Sequence, residues 1–166
     1  MRRLKQVFAI LILIALALGA YAAYTYFNHG KVVQGKAIIY LIKATPTDFQ
    51  LVPVEREIEG VVSPAQAVQA LLDGPLPDED LSASVPSSAK LLSLEIRDTL
   101  ATVNFSSEIV SDFTGGSLME AYLVEAIVNT LTEFTDIEKV QILVDGLVVE
   151  SIGGHILTLQ PLQRRD

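Results

Sequence analysis

The stretch Ser117–Phe134, SLMEAYLVEAIVNTLTEF, decides the fold because its apolar period is that of a long helix with one buried face. Apolar residues recur at spacings of three and four. They are Met119, Leu123, Ala126, Ile127, Leu131 and Phe134, and Thr130 lies on the same helical face. Gly115-Gly116 precedes Ser117, and Glu120 follows Ser117 by three positions. This spacing predicts a capping box at the start of the helix and an outward-facing Glu120.

Alternating apolar and polar residues on both sides of this helix predict two β-hairpins. Leu91–Arg97 and Leu100–Phe105 alternate with a period of two around a two-residue turn, which indicates strands with one buried face. The residues expected on that face are Leu92, Leu94, Ile96, Ala101, Val103 and Phe105. Lys139–Val144 and Leu147–Ile152 flank Asp145-Gly146, a pair that tolerates positive φ and favours a hairpin turn.

Further elements are predicted nearer the two ends of the chain. Lys36–Lys43 and Leu51–Ile58 have the composition or alternation of strands, and Ile156–Leu159 adds a short edge. A helix is expected to begin after the N-cap Ser63 and to end at Gly74. The element order is ββαββαββ. We therefore predict an α+β fold, a two-layer sandwich of two helices on one mixed or antiparallel sheet, preceded by one N-terminal transmembrane helix.

The membrane prediction comes from a basic stub followed by an uncharged apolar run. Residues 1–6 are basic without an acid, and residues 7–27 carry no charge. As a helix, this run would reach roughly 31 Å, close to the bilayer core of about 30 Å. We predict a single-pass transmembrane helix over 7–27, a linker over 28–35 and an extracytoplasmic domain over 36–166. The basic stub is expected on the cytoplasmic side of the bacterial inner membrane.

A cleaved signal peptide is the alternative interpretation, because it also begins with basic residues and an apolar run. Ala20-Tyr21-Ala22 offers small residues at a cleavage-like spacing. The apolar run continues past this site to Phe27, which favours an uncleaved anchor. Both interpretations predict an extracytoplasmic domain.

The composition of the 166 residues excludes several classes of function. They include no Cys, which rules out disulfides, thiolate metal sites and Cys nucleophiles within this sequence. A net charge of −8 opposes binding to nucleic acid. Hydrophobic residues make up 50% of the sequence, which excludes a disordered acidic tail.

No arrangement of residues in the sequence indicates a catalytic, cofactor or metal site. Only His29 and His155 could supply an imidazole, and no nucleophile-elbow motif surrounds a Ser. Asp78-Glu79-Asp80 lacks the spacing of a calcium loop, so we interpret it as a solvated charge run. Gly115-Gly116 is interpreted as a hinge and helix cap rather than a phosphate site. We predict a non-enzymatic protein without a cofactor, and a hydrolase built on His155 is the least favoured alternative.

The order of short motifs along the chain resembles the GerMN domain, the sporulation and spore germination module. The motifs are Ile38–Tyr40, Leu51–Val54, Leu71–Pro75, Ala101–Ser106, Ala126–Phe134, Val140–Gly146 and Gly153–His155. The resemblance covers Lys36 to Leu162. It implies an extracytoplasmic scaffold without established catalytic residues, and a fold similar to the α-β-β-α-β ring-building motifs. In bacteria that form endospores, the resemblance implies a role in assembling a channel complex.

Strand edges are the expected interaction surface, because an exposed edge can pair with another chain. The candidate interface residues are Leu147, Val149, Ser151, Thr102 and Asn104. The leading hypothesis is a membrane-anchored scaffold that contacts envelope proteins or further copies of itself. The alternative is a cell-wall or small-ligand binding module that uses the outward sheet face.

Overall fold

A four-stranded mixed sheet supplies the surface on which the two main helices pack. In this computed structural model, which describes residues 17–21 and 34–165, its strands are β3 (Leu91–Arg97), β4 (Leu100–Phe105), β5 (Lys139–Val144) and β6 (Leu147–Val148). The strands lie in the order β3-β4-β5-β6, with β4 parallel to β5 and the other pairs antiparallel. A parallel pair needs a crossover connection, which the long helix supplies.

The remaining elements of residues 34–165 form a second, smaller sheet and three helices. They are β1 (Gln34–Ala44), β2 (Phe49–Glu59), α1 (Pro64–Asp73), α2 (Glu108–Ser111) and α3 (Ser117–Thr132). Among the described strands β1 pairs with β2 alone, and α1 packs against α3, β3 and β2, so α1 contacts both sheets. The predicted α+β class is confirmed, whereas the single sheet is wrong. The short helix α2 also interrupts the predicted element order.

The loop after α1 explains why the strands do not form one sheet. Ile42 and Ser82 exchange two backbone hydrogen bonds, at 3.0 and 2.7 Å, along the edge of β1 that β2 leaves free. The Ser84 hydroxyl donates to the Tyr40 carbonyl at 2.8 Å. The loop therefore occupies the position that a further strand would need beside β1.

The core is built from the inner faces of the strands and the apolar face of α3. Ala101, Val103 and Phe105 of β4 are fully buried, as their alternation predicts. From α3, Leu123, Ala126, Ile127 and Leu131 are equally inaccessible. Burying a large apolar side chain contributes about 1.5–3 kcal/mol, so this contact between strand and helix is a main source of stability.

The edge strand β3 is less buried than its alternation predicts. Leu92 and Ile96 remain 50% and 36% exposed, although both were expected on the buried face. A register shift between Leu91 and Ser93 marks a β-bulge, which turns this end of the strand away from regular pairing. In the part of the chain that the structure describes, no strand lies beyond β3, so its outer side chains are not covered by a neighbouring strand.

The C-terminal segment replaces the long final strand that the sequence predicts. The structure limits β6 to Leu147–Val148, whereas the prediction extended to Ile152. Val140 of β5 and Leu162 exchange two backbone hydrogen bonds of 2.8 Å. The C-terminal segment thus pairs with the part of β5 that a longer β6 would have covered.

Arg164 fastens the end of this segment to α3 and β1. Its guanidinium donates to Glu133 Oε1 and to the Tyr40 hydroxyl, both at 2.6 Å, and lies 5.4 Å from the Tyr40 ring centroid. The Tyr40 hydroxyl donates to Glu133 Oε1 at 2.6 Å. Burial raises the pKa of Glu133, but the hydrogen bonds from Tyr40 and Arg164 outweigh it and hold the pKa below its usual value.

The two predicted capping boxes have different outcomes. At α1 the box is confirmed, because Ser63 Oγ accepts from the Gln66 N–H at 3.3 Å and the Ser63 N–H donates to Gln66 Oε1 at 3.0 Å. At α3 the box is wrong. The N-cap there is Gly116, which has no side chain to cap with, and Glu120 turns inward instead of back to Ser117.

The acidic run Asp78-Glu79-Asp80 is only partly solvated, which corrects its interpretation as a free charge run. The Glu79 carboxylate accepts from both Arg56 Nη atoms, at 2.8 and 2.5 Å, and from the Leu76 N–H at 2.8 Å. Arg56 lies on β2 and is 9% exposed. The hydrogen bond from Arg56 is the main reason that the pKa of Glu79 lies below its usual value.

The predicted membrane span lies largely outside the described residues. Within 7–27, the structure describes only residues 17–21, which are helical. None of the helices in the described ranges has both the length and the apolar character that spanning a bilayer requires. His29 also lies outside these ranges.

Candidate functional site

The predicted interface residues do not form one surface. Leu147 of β6 is 70% exposed and pairs with Val144, which places it on the sheet face that carries Phe105. Thr102 and Asn104 of β4 alternate with the buried residues of that strand and lie on the opposite face, where both are half-buried. The structure therefore separates Leu147 from the two β4 residues.

Val149 and Ser151, the other interface candidates, follow β6 in irregular backbone and are half-buried. The Thr158 hydroxyl donates to the Val149 carbonyl at 2.7 Å, and the Thr158 N–H donates to the Glu150 carbonyl at 2.8 Å. The expected strand Ile156–Leu159 is wrong, because the backbone there has no strand conformation. Leu147 is thus the candidate with the largest free apolar surface.

Asn104 stabilises the turn between β5 and β6. Its Oδ1 accepts from the Gly146 N–H at 2.8 Å. Asp145 and Gly146 have φ of 48° and 80°, as the sequence predicts for this turn. Because Oδ1 of Asn104 is committed to the turn, a ligand on the outward sheet face would have to compete with this internal bond.

The most concentrated polar site in the described domain surrounds Glu120, on the first turns of α3. The carboxylate is fully buried and accepts three backbone hydrogen bonds: from Ile152 and Gly153 to Oε1, at 3.1 and 2.7 Å, and from His155 to Oε2, at 2.8 Å. The Nδ1 atom of His155 lies 2.9 Å from Oε2. One side chain therefore binds the whole turn of the chain from Ile152 to His155.

The electrostatics of this site keep Glu120 ionised. Burial raises the pKa of Glu120, but the N–H groups of Gly153 and His155 donate to the carboxylate and outweigh the burial. The pKa of Glu120 therefore lies below its usual value of 4.5. The buried charge is compensated by N–H dipoles, with the half-exposed imidazole of His155 at the solvent side.

Close packing of an aromatic ring fixes the other side of this turn. A Cβ added to Gly153 would lie 2.5 Å from Phe113 Cε1, and one added to Gly115 would lie 2.7 Å from Phe113 Cζ. Both distances are shorter than a carbon–carbon contact of about 3.5 Å. The ring of Phe113 therefore contacts both glycine backbones, next to the Glu120 carboxylate.

A carboxylate–imidazole pair occurs in hydrolase triads, but the third member has no counterpart at this site. A triad needs a hydroxyl or thiol hydrogen-bonded to the other ring nitrogen. Among the described residues, no Ser or Thr hydroxyl bonds to the His155 ring. The described ranges also contain no cluster of three metal-ligating side chains. What the geometry supports is fixation of a loop by a buried anion.

A shallow cleft lies close to this site. It is lined mainly by Ala83–Pro86 and Asp112–Gly115 and has a volume of about 210 Å³. Typical small-molecule sites enclose about 300–1,000 Å³. The cleft is too small and open to indicate a ligand on its own.

The spacing of apolar residues in α3 contains the signal that indicates a buried side chain at Glu120. Glu120 precedes Leu123, Val124 and Ile127 by three, four and seven positions, so it shares their buried face. The capping-box interpretation assigned its side chain to the helix end instead. Its partners lie more than 30 positions later, in a glycine-containing turn that sequence periodicity does not place.

Comparison with a family model shows to which protein family the chain belongs. The model described as "Germane: Sporulation and spore germination" matches residues 38–150, more than half of the chain. The chain belongs to the Germane family. The resemblance to GerMN domains is thereby confirmed.

Solved structures support the assignment of this Germane protein. A putative lipoprotein from Clostridium perfringens is 27% identical, with a TM-score of 0.57 over 78% of this chain and 87% of that chain. The tandem GerMN domains of the sporulation protein GerM from Bacillus subtilis are 24% identical, with a TM-score of 0.66 over 80% of this chain and 46% of that chain. The first GerMN domain of GerM alone is 23% identical, with a TM-score of 0.59 over 80% of this chain and 99% of that chain.

The GerM comparisons show a shared fold. The tandem protein is matched over about half its length and the single domain over nearly all of it, so this chain corresponds to one GerMN domain. A comparison with curated protein sequences gave no match.

Proposed function

We propose that this Germane-family protein is a membrane-tethered, non-catalytic scaffold that works outside the cytoplasm through protein contacts, in a process related to sporulation or germination. The observation that carries the proposal is the use of the charged groups that are buried or half-buried in the domain. Arg56, Glu120 and Glu133 each bind a loop or the C-terminal segment to the rest of the described domain. These charged groups therefore stabilise the fold through internal hydrogen bonds.

The exposed strand edges and apolar side chains of the domain are suited to contacts with other chains. The two ends of the larger sheet are β3 and β6. Exposed apolar side chains lie on these strands and on the C-terminal segment, namely Leu92, Ile96, Leu147, Val148, Leu157 and Leu159. Exposed strand edges and apolar side chains are common features of surfaces that add a partner strand or pack against one.

The charge distribution along the sequence supports a membrane tether over residues 7–27. All 20 acidic residues follow the apolar run 7–27, and the basic stub precedes it. An acidic domain is repelled by anionic lipid headgroups, so it needs an anchor to stay at a membrane. An uncleaved apolar run supplies that anchor.

We expect a cysteine placed in the domain to be labelled from outside intact cells. The natural sequence has no Cys, so a membrane-impermeant maleimide has no background target in this protein. Asp136→Cys, at an exposed position, should be labelled in intact cells, whereas Gln6→Cys should be labelled only after lysis. Retention of an N-terminal tag on the labelled protein would establish an uncleaved anchor. Protection of Asp136→Cys until lysis would contradict the proposal.

We also expect contacts with envelope proteins to involve the exposed end of β6. A photo-crosslinking residue in place of Leu147 of the full chain should yield one reproducible adduct in living cells, because Leu147 is 70% exposed and apolar. The matched control is the same residue in place of Gln69, exposed on α1. Equal adducts from both positions, or none from either, would count against a scaffold that uses β6.

A further inference from the structure

Within the described residues no strand pairs with the outer edge of β3, and we infer that this edge pairs with β3 of a second copy of this protein, antiparallel, about a two-fold axis at Ile96. The inference rests on the proposed scaffold function and names one of its partners. In the resulting arrangement, two four-stranded sheets would continue as one across the axis.

The β3–β4 hairpin determines which backbone groups face this edge. Asp98-Thr99 is a two-residue turn, and Arg97 pairs with Leu100. In such a hairpin the pair next to the turn exchanges both hydrogen bonds, and the bonded positions alternate along the strand. The N–H and C=O groups of Leu94 and Ile96 therefore point away from β4, where the described part of the chain has no further strand.

Apart from the bulge between Leu91 and Ser93 and the charged residues Glu95 and Arg97, β3 lacks the features that usually protect an edge. Natural edge strands carry Pro, Lys or inward-pointing charges that prevent pairing. β2 has Pro53 in its centre, whereas Leu91–Arg97 contains neither Pro nor Lys. Ile96, at the proposed axis, is 36% exposed. An apolar residue whose own N–H and C=O point away from the neighbouring strand is a favourable site for strand addition.

Charge complementarity selects the register. Glu95 and Arg97 lie on the same face of β3, where they pair with each other at 3.2 Å and their side chains are 65% and 85% exposed, so a second copy can exchange this pair for cross-strand pairs. With the axis at Ile96, Glu95 of each copy lies opposite Arg97 of the other, which gives two cross-strand ion pairs. An axis at Glu95 would place two carboxylates directly opposite each other. An axis at Leu94 would bring the bulge between Leu91 and Ser93 into the new ladder.

The size of this contact implies that pairing depends on the tether. A stable interface normally buries more than about 1,000 Å², which one short strand pair does not reach. Confinement to a membrane raises the effective concentration of one copy for another without any new contact. We therefore expect the pairing in membranes.

The test uses Ile96→Cys in the full chain, in native membranes, as a reporter. Opposite residues in a hydrogen-bonded antiparallel pair lie about 5.5 Å apart at Cα, within the range that a disulfide spans. Mild oxidation should therefore give a disulfide dimer, measured on non-reducing gels. Val148→Cys at the other end of the sheet is the matched control and should give at least about fivefold less dimer, because the register brings no second Val148 near it.

Charge reversal then tests the register. Adding Glu95→Arg leaves each copy with two Arg on this face, and adding Arg97→Glu leaves two Glu. Each variant alone opposes like charges, so the dimer should fall about fivefold or more, since two cross-strand pairs are lost and replaced by repulsion. Co-expression of the two variants with different tags should restore a mixed dimer, because every charge then meets its opposite. Both residues are exposed, so the fold should persist, which thermal unfolding checks.

Three results would overturn the inference: no more dimer from Ile96→Cys than from Val148→Cys, a dimer indifferent to charge reversal, or no mixed dimer on co-expression. If Ile96→Cys stays monomeric while the Leu147 adduct and the outside labelling persist, self-pairing fails and the scaffold function stands. If the domain is not labelled from outside, the proposed function itself fails.

Discussion

Replacing Glu120 with alanine is expected to lower the free energy of unfolding by roughly 3–5 kcal/mol, the range seen when one partner of a buried charged network is removed. The substitution deletes the acceptor of three backbone N–H groups, in Ile152, Gly153 and His155. The Ile152 N–H is buried, so it would stay without a partner unless the turn opens. The side-chain cavity adds to the loss.

Chemical denaturation of the full chain in detergent, followed by circular dichroism, measures this loss. Glu125→Ala is the matched control, because Glu125 lies on the same helix and its side chain makes no hydrogen bond within the described domain. It should change the unfolding free energy by less than about 0.5 kcal/mol, as is usual away from special features. Equal effects of the two substitutions would show that the carboxylate of Glu120 does not hold the turn.

The same site has a defined pH dependence. The folded state lowers the pKa of Glu120 below 4.5, so the unfolded chain takes up the proton at a higher pH than the folded chain does. The contribution of Glu120 to stability is therefore complete above the usual carboxyl pKa and is lost as the pH falls through the folded value. Glu120→Gln should reduce this acid-side loss, and the comparison is made by denaturation at pH 3–7.

Replacing Gly153 with alanine is expected to cost about 1–3 kcal/mol, the usual range for overpacking. The added Cβ would lie 2.5 Å from Phe113 Cε1 and 3.1 Å from Glu120 Oε2. Because the ring also contacts Gly115, it has little room to move, so the turn has to shift and weaken its bonds to Glu120.

Gly116→Ala is the matched control, since an added Cβ there meets nothing within 4 Å and its φ of −89° suits any residue. It should lower the midpoint of thermal unfolding less than Gly153→Ala does, because its cost is only the preference of an N-cap for Gly over Ala. A double-mutant cycle with Phe113→Leu tests the cause, because a smaller side chain should relieve part of the Gly153→Ala penalty. Strict additivity of the two changes would contradict the steric explanation.

Local periodicity predicted the elements of this protein well, and the reason is physical. The alternation in β4 and the spacing in α3 both reflect one buried face, which depends only on neighbouring residues. The Ser63 capping box and the Asp145-Gly146 turn were predictable for the same reason, since their hydrogen bonds or dihedral angles are local.

Contacts between distant segments were not predictable from one sequence. The division into two sheets depends on a loop residue, Ser82, that pairs with Ile42, and no local pattern encodes that pairing. The short β6 depends in the same way on Leu162. For Glu120, the spacing within α3 indicates a buried position. The N–H groups that neutralise its carboxylate lie more than 30 positions later, so one sequence does not predict them.

The hydrogen bonds of Arg164 to Glu133 and Tyr40 have a consequence for the order in which the domain folds during synthesis. Tyr40 and Arg164 are 124 positions apart and bond directly, so the first sheet cannot complete its contacts until Arg164 has been translated. If the domain is exported, the contact between Tyr40 and Arg164 cannot form until Arg164 has crossed the membrane as well. Contacts of such long range slow folding, so the nascent chain has a window in which it is still open to chaperones and proteases.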